Sequence, residues 1–256
     1  MVRSSPVYFI WQPKYFEGLT HNIHYPIRNR LNRIRALDFT LKEGLHNCAE
    51  NIQWHQIEEV SDHFSYQRSF LLTDIYKRDE FVQEYRRTEI TSFLTFLNEA
   101  DFEKLFDENG TVPMECITIA IMKVEQYIKN KQHMFIDQLN TNEISQSTTN
   151  ELLKNIHLIM MQKKKIKLSS LSFMGVEKLK AHVKVAIAEI NINWHQSRYD
   201  GHRNLWIIKP VNKARGYGVV LMKDADKVLD HVFRHSENKY IAQKYIGEFW
   251  RDGSWI

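Results

Sequence analysis

Apolar side chains recur at roughly helical spacing through the first two thirds of the chain. This pattern predicts a helix over 79–98, opened by two acidic residues that suit the positive end of the helix dipole. It predicts another helix after Pro113, because proline is favoured at a first helical position, and a shorter one within 38–50. Two further helices are predicted at about 151–161 and 176–190. The apolar stripe after Pro113 consists of Ile117, Ile121, Val124 and Ile128.

Three segments do not follow this helical pattern. Residues 7–11 are β-branched and aromatic and are followed by Gln12-Pro13, which predicts a first strand. A second strand or a loop is predicted at 66–72. Residues 140–150 are rich in Thr, Asn and Ser and show no periodicity, so we expect them to form an exposed connection.

The pattern changes after His202. Short apolar runs at 205–208, 219–222 and 240–246 predict three strands, and 226–233 predicts a short helix between the last two. Strand, glycine-containing turn, strand, helix and strand is an order typical of α+β nucleotide-binding folds. The sequence therefore predicts an α+β fold with a helical N-terminal portion.

The composition indicates a folded, intracellular chain. Its 256 residues, 43% of them hydrophobic and 26% charged, suffice for one large domain or two small ones. No run approaches the roughly 20 apolar residues of a membrane span, and the N-terminus lacks the pattern of a signal peptide. Cys48 and Cys116 form no CxxC pair, so we expect both to be reduced and unpaired. The tripeptide Asn109-Gly110-Thr111 predicts a turn between helices.

The positive charge is concentrated in one region. The formal net charge is +4, and a basic stretch at 163–167 is followed by Lys178, Lys180 and Lys184. Such a stretch can bind an acidic partner, whether nucleic acid, anionic lipid or an acidic polypeptide. A solvated loop and helix face would have the same composition, so charge alone leaves both interpretations open.

The segment 205–219 carries the candidate chemistry. Two predicted strands bracket a loop with Gly216 and Gly218. Glycines allow backbone N–H groups to approach phosphate oxygens, and neighbouring cations neutralise phosphate charge. The loop matches neither GxxxxGK[ST] nor GxGxxG, and a hairpin turn with exposed basic residues would look the same. The cations beside the glycines are Lys209, Lys213 and Arg215.

A second candidate segment, Gln243-Lys244-Tyr245-Ile246, lies on the last predicted strand. The backbone of a strand edge can hydrogen-bond an adenine ring while an aliphatic side chain packs on the ring face. A core strand that ends in an amphipathic lysine would give the same pattern.

Taken together, these segments resemble the ATP-grasp ligases of the tubulin tyrosine ligase-like family. In that family a strand ending in lysine-proline precedes a glycine-rich loop, and a later Gln-Lys-Tyr-aliphatic strand forms the adenine hinge. Here Ile207-Ile208-Lys209-Pro210, Arg215-Gly216-Tyr217-Gly218 and the segment 243–246 match these three features. N-terminal segments follow the family's order as well: 39–45 with Lys42 at a family lysine position, then 65–70, then 80–88.

The resemblance implies an ATP-grasp-like fold and an ATP-dependent carboxylate–amine ligase that uses magnesium. It implies contacts to ATP by Lys42 and Lys209 at the phosphates, by Gly216 and Gly218 in the loop, and by Gln243, Lys244 and Ile246 around adenine. Two more cations, Lys213 and Arg215, are expected near the phosphates or an acidic substrate.

Within the family, Lys213 in KPVNKARGYG favours the tubulin glycylase branch, whose members add glycine to glutamate side chains of tubulin tails. A tubulin polyglutamylase is the alternative enzyme, and a non-catalytic tubulin-binding module that uses 163–184 is the alternative outside enzymes. The expected partners are the acidic C-terminal tails of tubulin and microtubules, and neither nucleic acid nor membrane. The expected location is the cytoplasm and cytoskeleton, in the axoneme of a cilium or flagellum.

The chain departs from the family pattern at several positions. Gln67 stands where the family has proline, Tyr217 where a basic residue is common, and 247–256 lacks the KFDxR strand and the Glu-x-Asn pair. We therefore expect an incomplete C-terminal ATP-grasp lobe with the magnesium ligands in a missing segment, as in a fragment, an inactive short isoform or a non-catalytic binder. The predicted parts are an N-terminal α/β region at 1–140, a helical basic connection at 141–200 and a partial nucleotide-binding lobe at 201–256.

Overall fold

A computed structural model describes residues 41–52, 67–132, 144–168, 173–246, 250–251 and 254–255. The strand predicted at 7–11 lies outside these residues. The chain divides into two compact units, Met1–Ser61 and Asp62–Ile256, and the three-part division at 140 and 200 stays a prediction. In the first unit, helix α1 (Lys42–Ile52) confirms the helix predicted within 38–50.

The second unit contains a core of four helices, namely α2 (Ile75–Glu99), α3 (Glu115–Gln132), α4 (Gln146–Met160) and α5 (Phe173–Asn193). Each helix has an apolar stripe along one side, and these stripes pack against one another in one buried cluster. The predicted face of α3 is confirmed, with Ile121 half-buried and the other three residues of the stripe buried. Central members of the cluster are Ile90, Phe93, Leu97, Ile117, Val124, Ile156 and Ile190.

Three helices of the core begin earlier than predicted. One of them, α5, begins at Phe173 instead of about residue 176, and for the other two a capping side chain is the reason. Helix α2 begins at Ile75 because a carboxylate oxygen of Asp74 accepts the backbone N–H of Lys77 at 3.0 Å. Helix α4 begins at Gln146, inside the stretch predicted as an exposed connection. There the hydroxyl oxygen of Ser145 accepts the backbone N–H of Thr148 at 3.1 Å. Helix α3, in contrast, begins two residues after Pro113, at Glu115.

A small parallel ladder pairs β2 (Phe106–Asp107), which follows α2 along the chain, with β3 (Ile166–Lys167), which follows α4. The turn after β2 confirms the one predicted at Asn109-Gly110-Thr111. Asp107 accepts the Asn109 N–H through its side chain at 2.8 Å and the Gly110 N–H through its backbone oxygen at 3.0 Å. A Cβ on Gly110 would lie 2.4 Å from the carbonyl carbon of Ile166 and 2.5 Å from its oxygen. Gly110 is therefore required for the close approach of two backbones.

A four-stranded antiparallel sheet is built from β1 (Ser69–Leu71), β4 (Trp206–Pro210), β5 (Val220–Met222) and β6 (Tyr240–Lys244). The spatial order is β1-β6-β4-β5, so the first and last strands of the four are neighbours. Helix α6 (Ala225–Arg234) connects β5 to β6. The three strands and the helix predicted after His202 are confirmed, as is the α+β class.

The two faces of this sheet differ because side chains alternate along a strand. On the inner face Trp206, Ile208 and Ala242 are fully buried, and the Trp206 and Phe81 rings meet edge to face with centroids 5.1 Å apart. The outer face carries the side chains in the alternate register, which include the predicted site residues Lys209 and Gln243. Its members are Ser69, Leu71, Ile207, Lys209, Leu221, Ile241 and Gln243.

A short hairpin of β7 (Trp250–Arg251) with β8 (Ser254–Trp255) follows the sheet along the chain. None of the helices in the described ranges combines the length and apolar character needed to cross a lipid bilayer.

Candidate functional site

Lys209 and Gln243 lie side by side on the outer face of the sheet. Strands β4 and β6 are antiparallel, and Ile207 is paired with Gln243 while Lys209 is paired with Ile241. This register makes Lys209 and Gln243 diagonal neighbours, within reach of long side chains. The Lys209 ammonium donates a hydrogen bond to the Gln243 side-chain oxygen at 2.5 Å. The structure therefore brings together two residues that are far apart in the sequence.

The loop between β4 and β5 is exposed, and three of its residues have left-handed backbone conformations. Arg215, Gly216 and Gly218 have φ angles of 56°, 77° and 73°, a region that glycine adopts with little cost. The loop is tied down internally by hydrogen bonds from the Tyr217 N–H to Ala214 O at 3.1 Å and from Val219 N–H to Gly216 O at 3.2 Å. Since it starts directly after Lys209-Pro210, the loop lies beside the outer-face cation.

The remaining loop cation, Lys213, packs back onto the loop. A Cβ built on Gly218 would lie 3.6 Å from Lys213 Cδ and 3.1 Å from Pro210 Cγ. Lys213 and Arg215 are both exposed. The loop thus carries two exposed cations and two left-handed glycines, and Lys209 lies on the strand that leads into it. This set of residues suits a polyphosphate.

We expect Gly218→Ala to destabilise the protein more than Gly216→Ala does. Both changes force an L-residue into left-handed backbone, at a cost of about 1–2 kcal/mol. Only the Gly218 methyl group would meet Pro210 Cγ, since nothing lies within 4 Å of a Cβ on Gly216. Urea unfolding midpoints of both variants test this. Equal losses would mean that the contact with Pro210 relaxes freely.

Lys244 occupies the opposite face from Lys209 and Gln243. It is paired with Trp206, its side chain is 3% exposed, and burial lowers its pKa to about 8. Its ammonium lies within hydrogen-bond distance of four backbone oxygens, those of Asp200 (3.2 Å), Arg203 (3.4 Å), Leu205 (3.3 Å) and Tyr245 (3.2 Å). The side chains of Lys244 and Lys209 therefore do not converge on one face.

The other two predicted residues lie at the ends of elements. Ile246 follows β6 and is partly exposed. Lys42 is the first residue of α1, in the first compact unit, and burial lowers its pKa.

A cavity lies at the end of β6. It is bounded on one side by residues 244–246 and on another by the 3-10 helix His195–Tyr199 and the residue after it. This second wall could not be predicted from the sequence, because its place depends on packing against segments that are distant along the chain. The lining residues are Gln67, Arg68, Gln196, Tyr199, Asp200, Lys244, Tyr245 and Ile246.

A buried network of charges supports this cavity. Arg68 contacts Glu84 at 3.0 Å and Asp200 at 2.5 Å, and Arg87 Nε donates to Glu84 at 2.9 Å. Burial alone would lower the pKa of Arg68, but Glu84 and Asp200 outweigh it and raise that pKa. Burial alone would raise the pKa of Glu84, but Arg68 and Arg87 lower it. Arg68 and Glu84 therefore stay charged at neutral pH.

The described residues fit a polyphosphate better than they fit a metal ion. Across the described ranges, no three His, Cys, Asp or Glu side chains come close enough together to hold a metal ion. Magnesium, which prefers carboxylate and other oxygen ligands, finds no such set there. The cations Lys209, Lys213 and Arg215, in contrast, lie on or directly beside the glycine loop.

Comparison with known proteins agrees with the sequence resemblance. Residues 128–248 match the family model described as the tubulin-tyrosine ligase family. The chain is 32% identical to Tubulin glycylase 3B of Drosophila melanogaster over 253 residues, which cover 96% of this chain and 32% of that protein. It is 26% identical to Tubulin monoglycylase TTLL3 of Danio rerio over 240 residues, which cover 83% of this chain and 30% of that protein.

The chain spans about a third of the length of these curated relatives. The matched segment 128–248 contains β4, the glycine loop and β6, and therefore Lys209 and Gln243. The similarity to tubulin glycylases extends beyond it over most of the chain. Residues 128–248 of this chain are therefore a segment that matches the tubulin-tyrosine ligase family.

Proposed function

We propose that the chain binds ATP on the outer face of its four-stranded sheet, as part of a ligase that adds glycine to glutamate side chains of tubulin. The observation that carries this proposal is the pairing of Lys209 with Gln243 beside a left-handed glycine loop. The names of the relatives, which are tubulin glycylases, support tubulin as the substrate and glycine as the added group.

In such a ligase, ATP activates an acceptor carboxylate as an acyl phosphate, which the amine of glycine then attacks with release of phosphate. The task of the residues in this chain is to bind and orient. Lys209, Lys213 and Arg215 would neutralise the triphosphate, and the glycine loop would offer backbone N–H groups to its oxygens. The strand end at 243–246 would receive the base. The proposed setting is the cytoplasm and the microtubules of an axoneme.

Calorimetric titration of the chain with ATP, with and without magnesium, tests the nucleotide site. We expect Lys209→Ala to weaken ATP binding at least about tenfold, because a charge-assisted contact to phosphate is lost. Lys227→Ala removes an exposed lysine on α6 and serves as the matched control. Binding that is unchanged in Lys209→Ala would reject the outer face as the phosphate site. Addition of glutamate rather than glycine by an active form would favour a polyglutamylase.

A second function, a tubulin-binding module without catalysis, has one observation in its favour. The exposed turn formed by Lys163, Lys164 and Lys165 is held in place by backbone hydrogen bonds. The Lys164 N–H donates to Leu158 O at 3.0 Å, and Lys165 O accepts the Thr111 N–H at 3.0 Å. A basic turn that is already held in place can bind an acidic peptide with little loss of backbone conformational entropy.

Sedimentation of the chain with microtubules at increasing salt tests this second function. Binding that needs no ATP, weakens with salt and is reduced in a Lys163→Ser, Lys164→Ser double variant but not in Lys227→Ala would support the module. Binding that is unaffected by the double variant would exclude this turn as the contact surface.

A further inference from the structure

The Lys244 ammonium joins two segments of backbone that meet at the end of β6. Three of its four carbonyl acceptors, Asp200, Arg203 and Leu205, lie on the chain that leads into β4, and the fourth is Tyr245 O, beyond β6. The Leu205 oxygen also accepts the backbone N–H of Tyr245 at 3.0 Å. The peptide groups at this strand end are therefore fixed both by the ladder and by a side chain.

The surroundings of this ammonium keep it in place. It lies 6.0 Å from the centroid of the Trp206 ring, and the Lys244 backbone N–H donates to Arg68 O at 2.8 Å. The carboxylates of Asp200, Glu84 and Glu89 act on the pKa of Lys244 against the effect of burial. A buried cation with this many acceptors has one favourable position.

The contact with Tyr245 O determines where the next N–H points. The C=O of Tyr245 and the N–H of Ile246 belong to one planar trans peptide group, so they point in opposite directions. Since the carbonyl is directed at the Lys244 ammonium, the Ile246 N–H is directed away from it. A donor fixed in this way suits a ring nitrogen that accepts a hydrogen bond, as adenine presents beside its amino group, whereas guanine presents a donor N–H there.

We infer that Lys244 is a positioning residue for base selection: by holding the carbonyl of Tyr245, it orients the Ile246 N–H toward the base without touching the nucleotide. The inference rests on the proposed nucleotide binding. It assigns to the lysine side chain a role different from contact with adenine, because that side chain lies on the inner face and is occupied by carbonyl groups.

The test compares ATP with GTP, which share the triphosphate and differ in the base. Calorimetric dissociation constants are measured for the unmodified chain and for Lys244→Met, a variant of similar length without donors. We expect the unmodified chain to bind ATP more tightly than GTP. In Lys244→Met the ratio of the two dissociation constants should fall about tenfold, about the effect of one misdirected hydrogen bond. The affinity for GTP should stay within about twofold, since the phosphate contacts remain.

A general loss of structure in Lys244→Met would weaken the binding of ATP and of GTP equally. Equal losses of affinity for the two nucleotides would therefore overturn the positioning role. An unchanged preference for ATP in folded Lys244→Met would overturn it too. Circular dichroism establishes folding. If the methionine variant does not fold, Lys244→Gln, which keeps two donors, carries the same test and is expected to retain part of the preference.

Failure of this inference can be told apart from failure of the proposed function. If the unmodified chain binds ATP and GTP equally and Lys209→Ala abolishes both, the phosphate site stands and the role of Lys244 is rejected. If the unmodified chain binds neither nucleotide, both are rejected.

Discussion

Replacing Arg68 by methionine is expected to lower the free energy of unfolding by about 3–5 kcal/mol, because it leaves two buried carboxylates without their shared cation. Glu84 and Asp200 both contact this guanidinium, and Arg87 pairs with Glu84. Hydration cannot replace the lost contacts, since the side chains of Glu84 and Asp200 are 15% and 6% exposed.

Urea unfolding at pH 7 measures the effect, and Arg234→Met is the matched control. Arg234 pairs with Asp230 at 2.8 Å, but both side chains are largely exposed, so its loss is expected to cost at most about 1 kcal/mol. A similar cost for both variants would mean that water enters the Arg68 network freely.

The effect of Arg68→Met should shrink as the pH falls. In the unmodified protein the pKa of Glu84 is lowered. Its stabilising effect is therefore present above the ordinary glutamate pKa and is lost as the pH falls through the lowered one. In the variant, Glu84 has lost one of its two cations while burial still favours its protonated form, so acid reduces the cost of the lost contact. A gap between the two proteins that stays constant down to acidic pH would contradict this account.

Replacing Gly110 by alanine is expected to cost about 3 kcal/mol, the upper part of the range for overpacked sites. The new methyl group would stand 2.4 Å from the carbonyl carbon of Ile166 and 2.5 Å from the Lys167 nitrogen. These are backbone atoms held in the β2–β3 ladder, and Ile166 is fully buried. The turn and β3 therefore cannot move apart without breaking backbone hydrogen bonds of the ladder.

Thermal and urea unfolding of Gly110→Ala, beside Glu108→Ala in the same turn, measure this cost. Glu108 is exposed, so its removal should change stability by less than about 0.5 kcal/mol. Equal unfolding midpoints for the two variants would show that the turn moves away from β3 without loss.

The C-terminal strands could be predicted from the sequence because each is a short apolar run between polar turns. The side-by-side position of Lys209 and Gln243 needed one further fact, the antiparallel register of β4 and β6. The helix starts were wrong for a different reason. Asp74 and Ser145 are ordinary N-cap residues, so a capping signal was present in the sequence. The predicted starts followed instead the first apolar residues with helical spacing, which lie further along the chain.

The burial of Lys244 could not be predicted. A lysine at the end of a strand is usually an amphipathic residue with its charge in water. Here its ammonium is surrounded by carbonyl groups of a segment some forty positions earlier in the chain, and no periodicity reports such a contact. The partners of Arg68 were hidden in the same way, since Asp200 lies 132 positions later in the chain.

The strand order has a consequence for synthesis of the chain. Strand β1 pairs with β6, whose residues are made more than 160 positions later, while the helices of the core lie between them in the sequence. On a ribosome the helical core can therefore form first, whereas β1 must wait, unpaired, until residue 244 has emerged from the exit tunnel. The four-stranded sheet is thus completed after the helical core, and a nucleotide that binds its outer face would stabilise the newly closed sheet by mass action.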